Sequence, residues 1–253
     1  MRLTRVYLDA VLEPGTCVAL RGSAASHVTR VLRLRAGDTL TLFNGRGGEY
    51  AGSIDKSQAG EVTVAVGEER AVERESPLAL TLAQGVSRGE RMDLVVQKAT
   101  ELGVSCIVPL LTERSVVRLD TQQAARKVAH WRGIAIAACE QSGRNRVPQV
   151  ATPRVLREFL SSTGGPDTST HDAARAGARL LLSPGAALRL DDVQPPVTQI
   201  TVLIGPEGGL SESEEELARA AGFKPVRLGP RVLRTETAAL AALALLQRNF
   251  GDL

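Results

Sequence analysis

Residues 200–247 read ITVLIGPEGGLSESEEELARAAGFKPVRLGPRVLRTETAALAALALLQ and hold two glycine-bearing turns, each at the end of a short apolar strand. The first strand, Ile200 to Ile204, is apolar on both faces apart from Thr201, the pattern of a parallel strand buried between layers. It runs into Gly205-Pro206-Glu207-Gly208-Gly209, where glycine permits close backbone approach and positive φ. Ser211 then caps a predicted helix, and Glu214 stands where it completes a capping box. Glu212, Glu214, Glu215 and Glu216 fill the first turns, where the helix dipole favours acids. Gly222 ends that helix, Lys224 to Leu228 forms another short strand, and Gly229-Pro230 opens a second loop, Arg231 to Thr237. Loops at the C-terminal ends of neighbouring parallel strands are where open α/β sheets bind ligands. Working outward, this stretch predicts an α/β fold with a strand-end pocket.

The ligand class is narrowed by what the loops lack. There is no Gly-x-x-x-x-Gly-Lys-Ser/Thr run to grip phosphates, and four glutamates after the first turn would repel a phosphate at that helix N-terminus. The nearest approach to a dinucleotide fingerprint, Gly45-Arg46-Gly47-Gly48-Glu49-Tyr50, fails at its last position. The residues alone predict a pocket for something small and not strongly anionic.

Composition sets the frame. The 253 residues, 43% hydrophobic and 23% charged, suffice for one large domain or two modest ones, and with 3% aromatics the core must be built from Leu, Val and Ala. Cys17, Cys106 and Cys139 have no close spacing, which argues against a disulfide framework and against a zinc site; no metal is expected. No apolar signal core and no run of 18 apolar residues is present, so the reading is cytoplasmic. Net charge is only +3, yet from Arg114 to Arg157 nine basic residues face two acidic ones, a local excess of +7. That is either a nucleic-acid-facing surface or a solvated helix face.

Along the chain, residues 1–72 read as a small β domain with strands at Val18–Leu20, Thr39–Asn44, Gly48–Asp55 and Glu61–Gly67. Ala24–Leu34 has helical spacing, with Ser23 as its cap. The charged linker at 73–77 starts the second domain, 73–253. Strand Leu78–Gln84, helix Gly89–Leu102 and strand Ser105–Leu111 imply a parallel pair, with Gly103 at the helix C′ position. A long helix from Thr121 to Ser142 ends in Glu140-Gln141-Ser142-Gly143-Arg144-Asn145-Arg146, polar residues too dense for a core purpose. Thr152-Pro153 predicts a further helix start, 163–178 a loop, and Arg179–Ser183 a strand. The last helix, Thr237–Asn249, is apolar nearly all round and so requires cover on most sides.

The phrase IGPEGG…S..E…A…GF…LG.R.LRTETA resembles the C-terminal signature of the SPOUT-class methyltransferases. Within that class it is most similar to the bacterial small-subunit (16S) ribosomal RNA uridine-N3 methyltransferase family, often called RsmE. The resemblance extends to HVTRVLRLRAGDTLTLFNGRGGEY, QKATELG and EQSGRNRVP, nearly the whole chain. It implies a trefoil-knotted parallel-sheet domain preceded by a PUA-like RNA-binding β-barrel. It also implies S-adenosyl-L-methionine as cofactor, ribosomal RNA or an assembled small subunit as substrate, and a homodimer. Carried onto this chain, the cofactor would be held by Gly205, Pro206, Glu207, Gly208, Gly209, Leu228, Gly229, Leu233, Arg234 and Thr237. Leu203 and Val232 would flank the adenine, and Leu182 would lie in a third loop beside them. Arg30, Arg33, Arg46, Arg114, Gln141, Arg144 and Arg146 would meet RNA.

For N3 of uracil to attack a methyl group its imide proton must leave, which requires a general base or a cation that stabilises the developing imidate. Arg234 is the expected cation and Glu236 the expected base, or the residue that orients that arginine. Glu207 is the rival base, with the alternative that it shapes its own turn by accepting backbone N–H bonds. Two other functions stay open: the same catalysis on transfer RNA or a ribose 2′-hydroxyl, and a non-catalytic RNA-binding assembly factor.

Overall fold

The computed structural model describes residues 4–58, 60–115, 119–162, 177–194 and 197–253. It divides into two units, Met1–Glu75 with Ile136–Val147, and Ser76–Ala135 with Pro148–Leu253.

The first unit is a curled five-stranded sheet. Its strands are β1 (Arg5–Tyr7), β2 (Cys17–Arg21), β3 (Thr39–Phe43), β4 (Glu49–Gln58) and β5 (Glu61–Arg70), in the order β1-β3-β4-β5-β2. All pairs are antiparallel except β1 with β3. Alternation sends Leu40, Leu42, Ile54, Val62 and Val64 inward, and register shifts near Gly52 and Lys56 bend β4 around them. β1 has too few residues to show a period, and no strand was predicted there. The expected helix at Ala24–Leu34 is instead α1 (Gly22–Ser26) followed by a π-helical turn at His27–Val31. Arg21, not Ser23, is its N-cap, and Arg33 closes the segment at φ 57°.

By its contacts the segment 136–147 groups with this unit, and a buried polar cluster ties it there. Arg5 donates to Glu49 and to the Asn145 side chain, with its guanidinium 4.8 Å above the Phe43 ring. Arg144 is paired with Glu75, and Arg74 bonds both Glu49 and the Gly143 carbonyl at 2.9 Å. Buried charges of this kind persist only when paired and hydrogen-bonded.

The second unit is a parallel sheet. Its members are β6 (Ala79–Gly85), β7 (Cys106–Leu111), β8 (Gln149–Val150), β9 (Arg154–Val155), β10 (Ala178–Leu182), β11 (Gln199–Ile204) and β12 (Lys224–Val226). The order is β12-β10-β11-β6-β7-β8, with β9 also on β7. Leu181, Leu203, Ala83 and Val108 stand in register across it and pack on the Phe159–Phe223 layer of one face. The helices are α2 (Arg91–Glu101), α3 (Thr121–Ser142), α4 (Leu156–Ser162), α5 (Glu212–Ala220) and α6 (Thr235–Phe250). α3 gives its residues up to Ala135 to this unit and the rest to the first. Ser211 and Glu214 make the predicted capping box, at 3.2 and 2.9 Å, and Gly103 and Gly222 take positive φ after α2 and α5. Thr152-Pro153 does not start a helix: the chain pairs as β9 first, and α4 begins at Leu156. The predicted loop at 163–178 lies outside the described residues up to Ala176. No helix among the described residues is long and apolar enough to cross a membrane, and no cluster there could hold a metal ion.

Candidate active site

β10, β11 and β12 are parallel neighbours, so their C-terminal ends, Leu182, Ile204 and Val226, emerge side by side. The three loops that follow, with the start of α6, enclose a cavity of about 650 Å³. Its apolar wall includes Leu182, Ile204, Val226, Leu228 and Leu233; its backbone wall is the 205–210 turn and the 227–229 bend. The turn is held close to β6: a Cβ on Gly85 would lie 2.6 Å from the Pro206 ring, so only glycine fits. Thr235, first residue of α6, donates its hydroxyl proton to the Gly205 carbonyl at 2.6 Å.

The two candidate carboxylates differ. Burial pushes the Glu207 carboxyl upward, but hydrogen bonds outweigh it: its own backbone N–H, that of Arg88 at 3.0 Å, and the Arg91 guanidinium at 2.8 Å hold it below the ordinary range. A base so stabilised is a weak one. Glu236 has Oε1 3.9 Å from Arg91 Nε, and its Oε2 is buried with no partner. Glu236 lines the cavity, and unlike Glu207 its carboxylate accepts no hydrogen bond among the described residues.

Five arginines line the cavity. Arg91 is paired with Glu207, Arg114 bonds the Gly208 carbonyl at 3.0 Å, and Arg227 bonds the Ala186 carbonyl at 3.0 Å. The Arg231 and Arg234 guanidiniums have no partner among the described residues. Arg234 is the N-cap residue of α6, in extended conformation at the cavity edge.

Among the residues singled out in sequence, Leu182, Gly205 to Gly209, Leu228, Gly229, Val232, Leu233, Arg234 and Glu236 all line this cavity. Val232 is 80% exposed there. Two do not line it. Leu203 is 0% exposed in the sheet core, because the strand's alternation points it to the opposite face from Ile204. Thr237 is an exposed residue in the first turn of α6. Of the expected RNA contacts, Arg30, Arg33, Arg46, Gln141 and Arg146 are exposed in the first unit. Arg114 is exposed at the cavity. Arg144 corrects the expectation: it is 3% exposed and bound to Glu75, so it holds the segment rather than meeting a ligand. The sequence reading missed Gln84, Arg91 and Thr235; an isolated glutamine ending an apolar strand was the available signal.

With this geometry in hand, likeness to known proteins is informative. Residues 74–247 match the profile of the RNA methyltransferase domain, and residues 20–66 that of the RNA methyltransferase PUA domain. Fold and matches together define an RNA methyltransferase preceded by a PUA domain. Over 252 residues the chain is 32% identical to the ribosomal RNA small subunit methyltransferase E of Buchnera aphidicola from Schizaphis graminum, covering 100% of this chain and 98% of the relative. The namesake from Bacillus subtilis is 31% identical, over 92% of this chain and 90% of its own. A Neisseria gonorrhoeae ribosomal RNA small subunit methyltransferase E, solved with S-adenosyl methionine, is 39% identical with a TM-score of 0.87 over 99% of both chains. A putative methyltransferase from Legionella pneumophila, in complex with the bound cofactor SAM, is 43% identical with a TM-score of 0.90 over 100% of both. The chain belongs to the ribosomal RNA small subunit methyltransferase E family.

Proposed function

We propose that this protein transfers a methyl group from S-adenosylmethionine to N3 of a uridine in small-subunit ribosomal RNA. The observation that carries the reading is the cavity itself, an apolar and backbone-lined pocket whose lining includes Glu236 together with Arg231 and Arg234, two arginines whose guanidiniums have no partner among the described residues.

The cofactor fits these residues. About 650 Å³ is ordinary for a ligand of that size, the leucines suit its adenine, and the loop peptides can bond its polar edges without a phosphate cradle. When bound, the cofactor supplies an electrophilic methyl on a positively charged sulfur. The chain's own residues do the rest. Gly205 to Gly209 and Leu228 to Leu233 hold and orient it, while Glu207 shapes its turn as an engaged carboxylate. The Glu236 carboxylate accepts the imide proton, and Arg234 stabilises the negative charge left on the uracil. Arg231 is poised for an RNA phosphate.

The exposed arginines of the first unit, Arg30, Arg33, Arg46 and Arg146, would bind RNA backbone; the assembled small subunit and free RNA are both candidate substrates. We further infer a threaded C-terminus. The chain passes from β11 over β10 to edge strand β12, then returns as α6 to pack on α2 and β11. A homodimer is supported by Leu94 on α2 and Leu245 on α6, large apolar side chains left exposed, and by the open side of the cavity at Val232. The protein would act in the cytoplasm without a metal.

Isothermal titration with S-adenosylmethionine, then methyl transfer to small subunits, large subunits and transfer RNA compared, tests the reading. Transfer confined to small subunits supports it; transfer RNA as the methylated product would overturn the substrate, and no cofactor binding would overturn the enzyme.

A further inference from the structure

We propose that Gln84 is a positioning residue that fastens the two cofactor loops to one another, acting through Thr235. This rests on the reading above that the cavity holds S-adenosylmethionine.

Gln84 is the penultimate residue of β6 and is 0% exposed, yet it is not among the residues lining the cavity. Its Nε2 donates to the Thr235 hydroxyl at 2.9 Å and to the Gly85 carbonyl at 3.1 Å, with the Gly205 carbonyl at 3.4 Å. Three oxygens around one end of the amide fix which end carries the nitrogen. The Thr235 proton is committed to Gly205, so the hydroxyl can only accept from Gln84. Every proton in the chain Gln84 N–H to Thr235 O–H to Gly205 C=O therefore has one direction. Gly205 opens the first cofactor loop and Thr235 closes the second, and β6 supplies the rigid strand to which both are tied.

The physical consequence is preorganisation. Without the glutamine amide, the Thr235 oxygen loses its donor in a dry environment, and the two loop roots are joined by one hydrogen bond alone. A ligand that contacts both loops must then order them on binding, and its affinity falls. A residue that only filled space would not couple the loops, and isosteric replacement would leave the ligand unaffected.

The test uses the full chain. Gln84→Leu and Thr235→Val keep volume and remove the bonds; each should weaken S-adenosylmethionine binding by about tenfold in titration calorimetry. The double variant should be close to either single, since both break one chain of bonds. In turnover, the KM for S-adenosylmethionine should rise while the KM for RNA stays. In the ligand-free protein, amide hydrogen exchange in 205–210 and 229–236 should quicken in both variants and recover in Thr235→Ser, which keeps the hydroxyl. If Gln84→Leu does not fold, Thr235→Val with its serine rescue decides alone. Unchanged cofactor affinity and unchanged loop exchange in folded variants, or fully additive losses, would overturn the proposal. Should the unaltered protein bind no S-adenosylmethionine, the functional reading falls and the exchange data alone judge the bracket.

Discussion

Glu207 and Glu236 share Arg91 and differ in what else they hold, and that difference assigns their roles. Glu236→Gln keeps the shape and removes the proton acceptor, so kcat should fall by about a hundredfold or more with cofactor binding retained. Glu207→Gln should retain most turnover and instead lose stability in a pH-dependent way. Its native carboxyl lies below the ordinary 4.5, so the stabilisation is complete above that value and is lost as pH falls through the native one. Melting curves of the two proteins should differ near neutrality and converge in strong acid; a gap that persists there would contradict the hydrogen bonds described. A second residue-scale test concerns thiols. Burial pushes the Cys139 thiol up to about 12, whereas Cys17 is exposed. Native protein should react with a thiol reagent at Cys17 and spare Cys139 until unfolded. At this scale the loop glycines and Arg234 were legible, because turn chemistry is written in residue type. The partners of Arg144 were not: an arginine in a polar run reads as solvated, and only folding brings Glu75 to it.

Elements divide by whether their cause is local. The α5 cap lies wholly within Ser211 to Glu214, and sequence alone shows it. Ser211→Ala should cost about 1 kcal/mol and leave the cavity shape intact, measurable by chemical denaturation with cofactor titration alongside. Gly85→Ala should do the reverse of this in kind. Its Cβ meets the Pro206 ring, so the 205–210 turn must move, and cofactor binding should be lost with a destabilisation of about 2 kcal/mol. Nothing local marks Gly85, because its constraint is Pro206, in a turn far away in the chain. The same reason explains β1 and β9, pairs of edge segments too short to carry a period. At α1 Ser23 offered a cap, but Arg21 takes that position and the chain continues as a π-helical turn. Leu203 was misplaced for a different reason: a strand buried on both faces shows no alternation, so which face points to the pocket is silent in sequence.

For the whole molecule, the parallel sheet and the preceding small β unit followed from hydrophobic pattern and turn residues, while the assignment of 136–147 to the first unit did not. That segment continues a helix, and helical periodicity does not report which core receives its end. The exposed Leu245 on a largely apolar helix predicts association: light scattering should give a dimer for the unaltered protein and a monomer for Leu245→Glu. The most direct test of the central claim is chemical. Small subunits lacking the modification are incubated with S-adenosylmethionine and either the unaltered protein or Arg234→Ala, and the nucleosides are identified by mass spectrometry. The account predicts new N3-methyluridine, reduced by about a hundredfold or more in the variant. A different methylated nucleoside, or N3-methyluridine formed equally well without Arg234, would contradict it.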